Sequence, residues 1–379
     1  MTRQSGFWSD SLARLRRGRG ACVGVVWVGL LLACAGLAPW VANEHPLRVA
    51  QADTTWWPVL EAYTSQDVGW TGALLACLTW VGLARLGRAR AARTAALVVL
   101  GVTAVIASRV DPVNLAPNDW SEIAERGGTR LTWAPIRYGP QEIDKDAMLV
   151  GPGVSGHPLG TDANGRDVTA RLLHGARTSL LVGLVAAGTA TLLGLVIGAL
   201  AGWYRGRVDA LLSWGVQVVA CFPTIVLVIT VCAFARPSLV LVMLLIGLTG
   251  WTETARLVRG EVMRLRELAF VESARALGTP GIRILVRHVL PHAMGPVTVQ
   301  AALGVAGAVM LESALAFLGL GPADTPSWGR MLQEGRDAQG SGGHLVLLSG
   351  LLVFFTICAW NMVGEALREA TDPQGEDVL

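Results

Sequence analysis

Several groups of residues in this 379-residue chain have the types and spacing to do chemistry. Asp162–Asp167, DANGRD, holds three oxygen-bearing side chains in six residues. Calcium loops use such spacing, but place glycine sixth and a bidentate glutamate twelfth. Here Gly165 is fourth and Leu173 is twelfth, so a turn leading into a helix over Val168–Leu180 is the expected reading. The histidines, His45, His157, His174, His288, His292 and His344, are scattered. His288 and His292 are four apart but straddle Pro291 without an HExxH pattern, so no metal site is expected. Cys22, Cys34, Cys77, Cys221, Cys232 and Cys358 lie in or beside apolar runs and form no CxxC pair. They read as packed thiols rather than a disulfide or zinc framework. No Gly-x-x-x-x-Gly-Lys-Ser/Thr occurs, and the one lysine, Lys145, follows Asp144. A phosphate-cradling loop of that type is absent, and no Ser-His-Asp arrangement is legible. What remains is a charged stretch, VESARALGTPGIRILVRHVLP, from Val271 to Pro291, and a lone acid, Glu312, in an apolar run.

The elements that must position these residues are membrane spans. The chain is 52% hydrophobic and 16% charged, against about 25% charged in soluble proteins, and its mean hydropathy is +0.49. Runs long enough for a hydrocarbon core of about 30 Å fall near 21–41, 178–202, 209–233, 238–257, 297–318 and 345–366. Two shorter ones, 69–86 and 94–108, form an extra hairpin. In lipid only helices and closed barrels satisfy the backbone, and no ten-residue alternation is present. The expected fold class is therefore all-α, a polytopic helical membrane protein. The N-terminal arginines precede a run too long for a cleavable signal, so it reads as an uncleaved first span. Arginines clustered in short loops face the cytoplasm, which puts both termini inside. The expected organisation is a cytoplasmic N-terminus (1–20), a first span (21–41), the hairpin (69–108), an extracytoplasmic segment (109–177), a core (178–366) and a cytoplasmic tail (367–379). The core contains a cytoplasmic loop at 258–294. Glycines such as Gly194 and Gly198 mark close helix packing.

Within that loop the local chemistry predicts two helices and a corner. Glu261–Leu277 has good helix formers, with Met263, Phe270, Ala274 and Leu277 as an apolar stripe. Gly278 suits the residue after a helix, where a left-handed backbone is needed. Thr279 is the expected cap and Pro280 the first residue of a second helix. That helix runs to Leu290, with Ile282, Leu285, Val286 and Val289 as its apolar face, Arg283 and Arg287 on another, and Pro291 as its end. By itself this reads either as an amphipathic segment lying on anionic lipid or as an element docking into a partner's groove. Glu312 lies about 24 Å along a helix starting near Pro296. An acid at that depth is a candidate for a substrate path or simply faces a polar vestibule. Glu253, beside Arg256, reads as an i,i+3 ion pair.

The pattern Glu272-Ser273-Ala274, three residues, Gly278, nine residues, His288-x-Leu290-Pro291 resembles the Glu-Ala-Ala loop of binding-protein-dependent ABC-transporter permeases. It departs from the family at Ser273 and His288. HPLGTDANGRDVTARLLHGARTSLLVG (157–183), FPTIVL (222–227), LESALAFLGLG (311–321) and TPSWGRML (325–332) are similar to the dipeptide/oligopeptide/nickel branch, and most to its second permease subunit. The resemblance covers about 157–372. It implies an ABC importer type I permease core in the cell inner membrane, pairing with a second permease as a heterodimer. It also implies two cytoplasmic ATPases, each taking one coupling helix, and an extracytoplasmic substrate-binding protein. On that reading the coupling residues are Glu272, Ser273, Ala274, Gly278, Thr279, Pro280, Arg283, Arg287, His288, Leu290 and Pro291. This chain would bind no cofactor and hydrolyse nothing; ATP and magnesium would sit on the ATPases. Its surroundings would be the lipid bilayer, with no nucleic acid. Di- or oligopeptides are the expected cargo, with nickel or another small solute as the alternative. An ion-coupled secondary transporter is a further alternative, and would need midplane charges and repeats with broken helices.

Overall fold

The computed structural model describes residues 19–51, 54–85, 89–110, 120, 130–235, 238–322 and 324–371. The N-terminal arginines up to Arg17, Arg88 of the hairpin connection, most of 111–129 and the tail beyond 371 lie outside them. The described chain is mainly helical, with a three-stranded antiparallel sheet of order β2-β1-β3 and an irregular stretch of turns over 133–167. Its strands are β1 (Arg48–Gln51), β2 (Thr54–Trp56) and β3 (Arg130–Thr132). Period-two patterning over three or four residues is too short to predict, and these strands were not expected.

The helices are α1 (Arg19–Val41), α2 (Pro58–Glu61), α3 (Ser65–Arg85), α4 (Ala89–Ala107), α5 (Val168–Tyr204), α6 (Gly206–Ala220), α7 (Thr224–Phe234) and α8 (Leu239–Leu265). They continue with α9 (Ala269–Ala276), α10 (Gly281–Ile284), a π turn (Leu285–Val289), α11 (Leu290–Phe317), α12 (Trp328–Asp337) and α13 (Gly343–Thr371). Among the described residues, five stretches are long and apolar enough to cross a membrane: Gly20–Val41, Val168–Tyr204, Leu239–Leu265, Gly281–Phe317 and Gly343–Thr371. The run expected as one span at 209–233 is broken: α6 and α7 meet at a bend of 69°. Pro223, which precedes α7, lacks the N–H that would carry a helix through. The helix entered after DANGRD is also longer than the expected Val168–Leu180 and runs 37 residues without a break.

The chain forms two compact units. The first comprises Met1–Val28, Ser179–Asp324 and Leu351–Leu379. Its helices approach closely because glycines replace side chains at the contacts. A Cβ on Gly194 would lie 2.8 Å from the Trp251 carbonyl oxygen, and one on Gly198 2.4 Å from that of Ala255. Both are closer than real Cβ atoms come, so α5 and α8 pack backbone to backbone, as small residues allow in membranes. Near the end of α8, Arg259 grips Asp209 with Nε and Nη2 at 2.6 and 2.8 Å.

The second unit comprises Gly29–Thr178 and Thr325–Gly350. Here α3 and α4 form an antiparallel hairpin in which Gly72 meets Thr103. Arg177 ties α3 down by donating to Asp67 and to the Ala35 carbonyl. Thr71 adds a hydrogen bond to the Gly36 carbonyl at 3.2 Å. α4 contains a shorter apolar stretch, Ala91–Ala107.

Candidate functional site

Three arrangements in the described residues gather chemistry-bearing side chains. The first is the loop between α8 and α11, in the first unit. Its chain direction changes twice. α8 ends at Leu265, four residues into the helix expected from Glu261, and a short turn precedes α9. At Gly278, φ is +75°, the left-handed conformation that glycine reaches without a steric cost. The amides of Gly278 and Thr279 donate to the Arg275 and Ala274 carbonyls at 2.9 and 3.1 Å, closing α9. Pro280, not Thr279, then holds the capping position, with no side-chain cap, and α10 starts at Gly281. Pro291 does not end the helix. It sits in the first turn of α11, where its missing N–H leaves little unmatched.

The π turn changes which face is buried. With one extra residue per turn, the regular stripe from Ile282 is lost: Ile282 and Val286 are 52% and 57% exposed. Val271, Ile284, Leu285 and Val289 instead enter a core with Val258, Val262 and Leu265 of α8 and Ala293 and Val297 of α11. Leu277, expected on the buried stripe, is 85% exposed. The outward surface is therefore an apolar knob of Leu277, Ile282 and Val286. Glu272, Ser273, Gly278, Pro280, Arg283, Arg287 and Pro291 are also exposed on this loop, and Ala274, Thr279, His288 and Leu290 are half-buried. Ser273 Oγ donates to the Ala269 carbonyl at 2.9 Å, so it is consumed within its own helix. His292 Nδ1 donates to the His288 carbonyl at 2.6 Å, and its ring stacks on Phe270 at 5.4 Å.

One anchor holds the loop from behind, and sequence reasoning missed it. Trp203, in the last turn of α5, is buried. Arg266 Nη1 donates to its carbonyl at 2.5 Å, and the guanidinium groups of Arg266 and Arg275 lie 5.9 and 5.4 Å from its ring centroid. Such cation–π contacts strengthen when water is excluded. Burial, together with the charges of Arg205 and Arg275, holds Arg266 below the ordinary guanidinium value. Gly281 lets the loop approach, since a Cβ there would sit 3.3 Å from the indole nitrogen. The available signal was a tryptophan closing an apolar run just before Arg205, the pattern of an interfacial anchor.

The second arrangement, in the second unit, brings DANGRD and SWGRML together. Asp162 Oδ1 accepts the amides of Asn164 and Arg166 at 2.8 and 2.9 Å, and Asp167 Oδ1 accepts that of Ala170 at 2.7 Å. These carboxylates make a turn and a helix cap. Asp162 Oδ2 accepts Arg166 Nε at 2.7 Å and also pairs with Arg171. Both arginines reach Glu334 of α12, Arg166 at 2.9 Å. Arg330 Nε adds a contact to Glu334 at 3.1 Å. Burial alone would raise the Glu334 carboxyl, but hydrogen bonds and charge from Arg171 and Arg166 outweigh it and hold it below the usual carboxylate range. Alongside, Trp328 is fully buried. Its indole donates to the Leu172 carbonyl at 3.0 Å, and Gly175 leaves room for its ring. The carboxylates here are occupied by the arginines around them, and among the described residues of this cluster only Arg171 Nε is buried without a hydrogen-bond partner.

The third is a cavity of about 380 Å³ in the first unit, among the middles of α5, α8 and α11 and the start of α7. Thr191, Thr224, Thr254, Glu253 and Gln300 give it a polar lining. Glu253 does not pair with Arg256; its carboxylate accepts Gln300 Nε2 at 3.3 Å. Glu312 is elsewhere: 3% exposed, beside Ser313, and not part of this lining.

Comparison with known proteins points one way. The family model described as the binding-protein-dependent transport system inner membrane component matches residues 194–373. A model of the N-terminal transmembrane domain of oligopeptide transport permease C matches residues 6–55. The hairpin α3–α4 falls between these stretches. The dipeptide transport system permease protein DppC of Alkalihalophilus pseudofirmus is 38% identical over 234 residues, 62% of this chain and 77% of that protein. The oligopeptide transport system permease protein OppC of Haemophilus influenzae is 34% identical over 242 residues, 63% of this chain and 77% of that protein. The glutathione transport system permease protein GsiD of Pectobacterium atrosepticum is 35% identical over 233 residues, 61% of this chain and 77% of that protein.

Proposed function

Because the chain belongs to the family of binding-protein-dependent transport system inner-membrane components, as a multi-pass permease subunit, we propose that it forms one half of the path of an ATP-driven importer for di- or oligopeptides. A second permease supplies the other half, two cytoplasmic ATPases hold ATP and magnesium, and an extracytoplasmic binding protein delivers the cargo. Both termini and the α8–α11 loop face the cytoplasm of a cell with this protein in its inner membrane.

The observation that carries this reading is the knob. Three apolar side chains stand exposed on a short helical corner, flanked by arginines and fixed from behind to Trp203. A lipid-lying helix would turn a continuous apolar stripe one way. This loop spends Ile284, Leu285 and Val289 on its own core and offers a compact tip instead, the form that suits insertion into a groove. The contact set is Glu272, Ser273, Ala274, Gly278, Thr279, Pro280, Arg283, Arg287, His288, Leu290 and Pro291, with Leu277 and Ile282 added at the tip. Closure of the ATPases on ATP would then drive the loop and the helices continuous with it.

Site-directed crosslinking tests this. Leu277→Cys, in a chain cleared of its other cysteines, is expected to crosslink to a cysteine in the surface groove of the cognate ATPase, with a yield that changes on adding ATP and magnesium. If Leu277→Cys reacts with lipid-phase reagents and never with the ATPase, the loop lies on the membrane and the coupling role is lost.

A further inference from the structure

We propose that Glu253 is a cation-recognising subsite inside the membrane, taking the ammonium group of the solute as it passes; this rests on the permease reading above. Glu253 is the fifteenth of the 27 residues of α8, about 21 Å from the start of that helix. Polar atoms at such depth are costly to leave against lipid, so an ionisable side chain there marks a pathway or a partner. The carboxylate opens on the 380 Å³ cavity. Its hydrogen-bond partner among the described residues is a neutral amide, Gln300. Gln300 belongs to α11 and Glu253 to α8, so the pair spans two walls of the cavity and sets the position of the carboxylate. Thr191 and Thr254 add hydroxyls to the same lining, and Gly250 and Gly304 leave open the space that a side chain would fill against Ala190 and Ala187. Glu253 is exposed, so its carboxylate stands on the open side of this cavity, where its charge attracts a passing ammonium group. Free peptides carry such a group at their N-terminus, and solutes without a positive group gain nothing from it.

The test uses the whole importer, with both permeases and both ATPases, in proteoliposomes with its binding protein. Uptake of dialanine and of glutathione, each bearing a free ammonium, and of N-acetyl-dialanine, which bears none, is compared for wild type, Glu253→Gln and Glu253→Asp. Stimulation of ATP hydrolysis by the loaded binding protein is followed in parallel. The expected result is a roughly tenfold fall in uptake for Glu253→Gln, partial recovery for Glu253→Asp, and unchanged stimulation of hydrolysis in both. Equal uptake by wild type and Glu253→Gln overturns the subsite and leaves the permease reading intact. So does wild-type uptake confined to solutes lacking an ammonium group. Loss of the partner permease from the purified Glu253→Gln complex also overturns it, by making Glu253 an assembly contact. Wild type that neither imports any solute nor stimulates hydrolysis overturns the permease reading together with the subsite.

Discussion

The corner at Leu277–Ile282 and the cluster around Arg171 are both rich in arginine, and they treat it in opposite ways. In the cluster, Arg171 is 1% exposed and its guanidinium is shared between Asp162 and Glu334. Every charge there meets an opposite one within the same unit. At the corner, Arg283 and Arg287 stand exposed, and among the described residues Leu277, Ile282 and Val286 stand exposed with them. The difference teaches how to separate residues that hold a fold from residues kept for another molecule. Arginine count is no guide; whether the hydrogen bonds close within the chain is.

That contrast can be broken at either end. The largest effect is expected from Arg171→Leu, which removes the buried guanidinium shared by Asp162 and Glu334 and leaves them to Arg166 and Arg330. Removing one partner of a buried ion pair costs about 3–5 kcal/mol, so the thermal midpoint of the detergent-purified protein should fall sharply. Next comes Gly278→Val. A β-branched residue at φ +75° costs about 1–3 kcal/mol, and if the corner couples hydrolysis to movement, uptake should fall while ATP hydrolysis continues. Assaying both on one preparation separates this from simple unfolding. Acidification should come third. The folded pKa of Glu334 is lowered, so its contribution is complete above the unfolded carboxylate range and lost as pH falls through the lowered folded value. Glu334→Gln should therefore flatten the acid limb of a midpoint-against-pH curve while lowering the midpoint at neutral pH. The smallest effect on stability, within about 0.5 kcal/mol, is expected from Leu277→Asp, because the side chain touches solvent. The same change should abolish co-purification of the ATPase. A Leu277→Asp chain that is stable and still binds its ATPase would erase the contrast.

Much of this was legible in the sequence, and the failures have physical causes. Hydropathy located the long spans because lipid imposes a uniform requirement on every residue of a run. Gly278 was legible because one backbone conformation demands one residue type. The bend at Pro223 was not, because FPTIVL is apolar on both sides and a window average hides a break. The π turn escaped because an extra residue per turn has no compositional mark, so Ile282 and Val286 were assigned to the wrong face. Trp203 and Glu334 act across 63 and 163 or more residues, separations that periodicity cannot see. Glu253 was read as a neighbour of Arg256, the nearest opposite charge along the helix, although its partner is Gln300 on another helix.

From Gly281 to Phe317 the chain is helical at every residue, 37 in succession through the π turn, a length of about 55 Å. Ile282 projects near one end, and Gln300 stands on a cavity wall about 27 Å along the same axis. The run is continuous but not uniform, because the π turn and Pro296 lie between these two points, and helices bend at such places. If the corner is the coupling element, a stroke on its tip reaches the wall that Gln300 and Gly304 form through those two joints. Cavity shape and corner position are then linked by one unbroken helix with two places to flex.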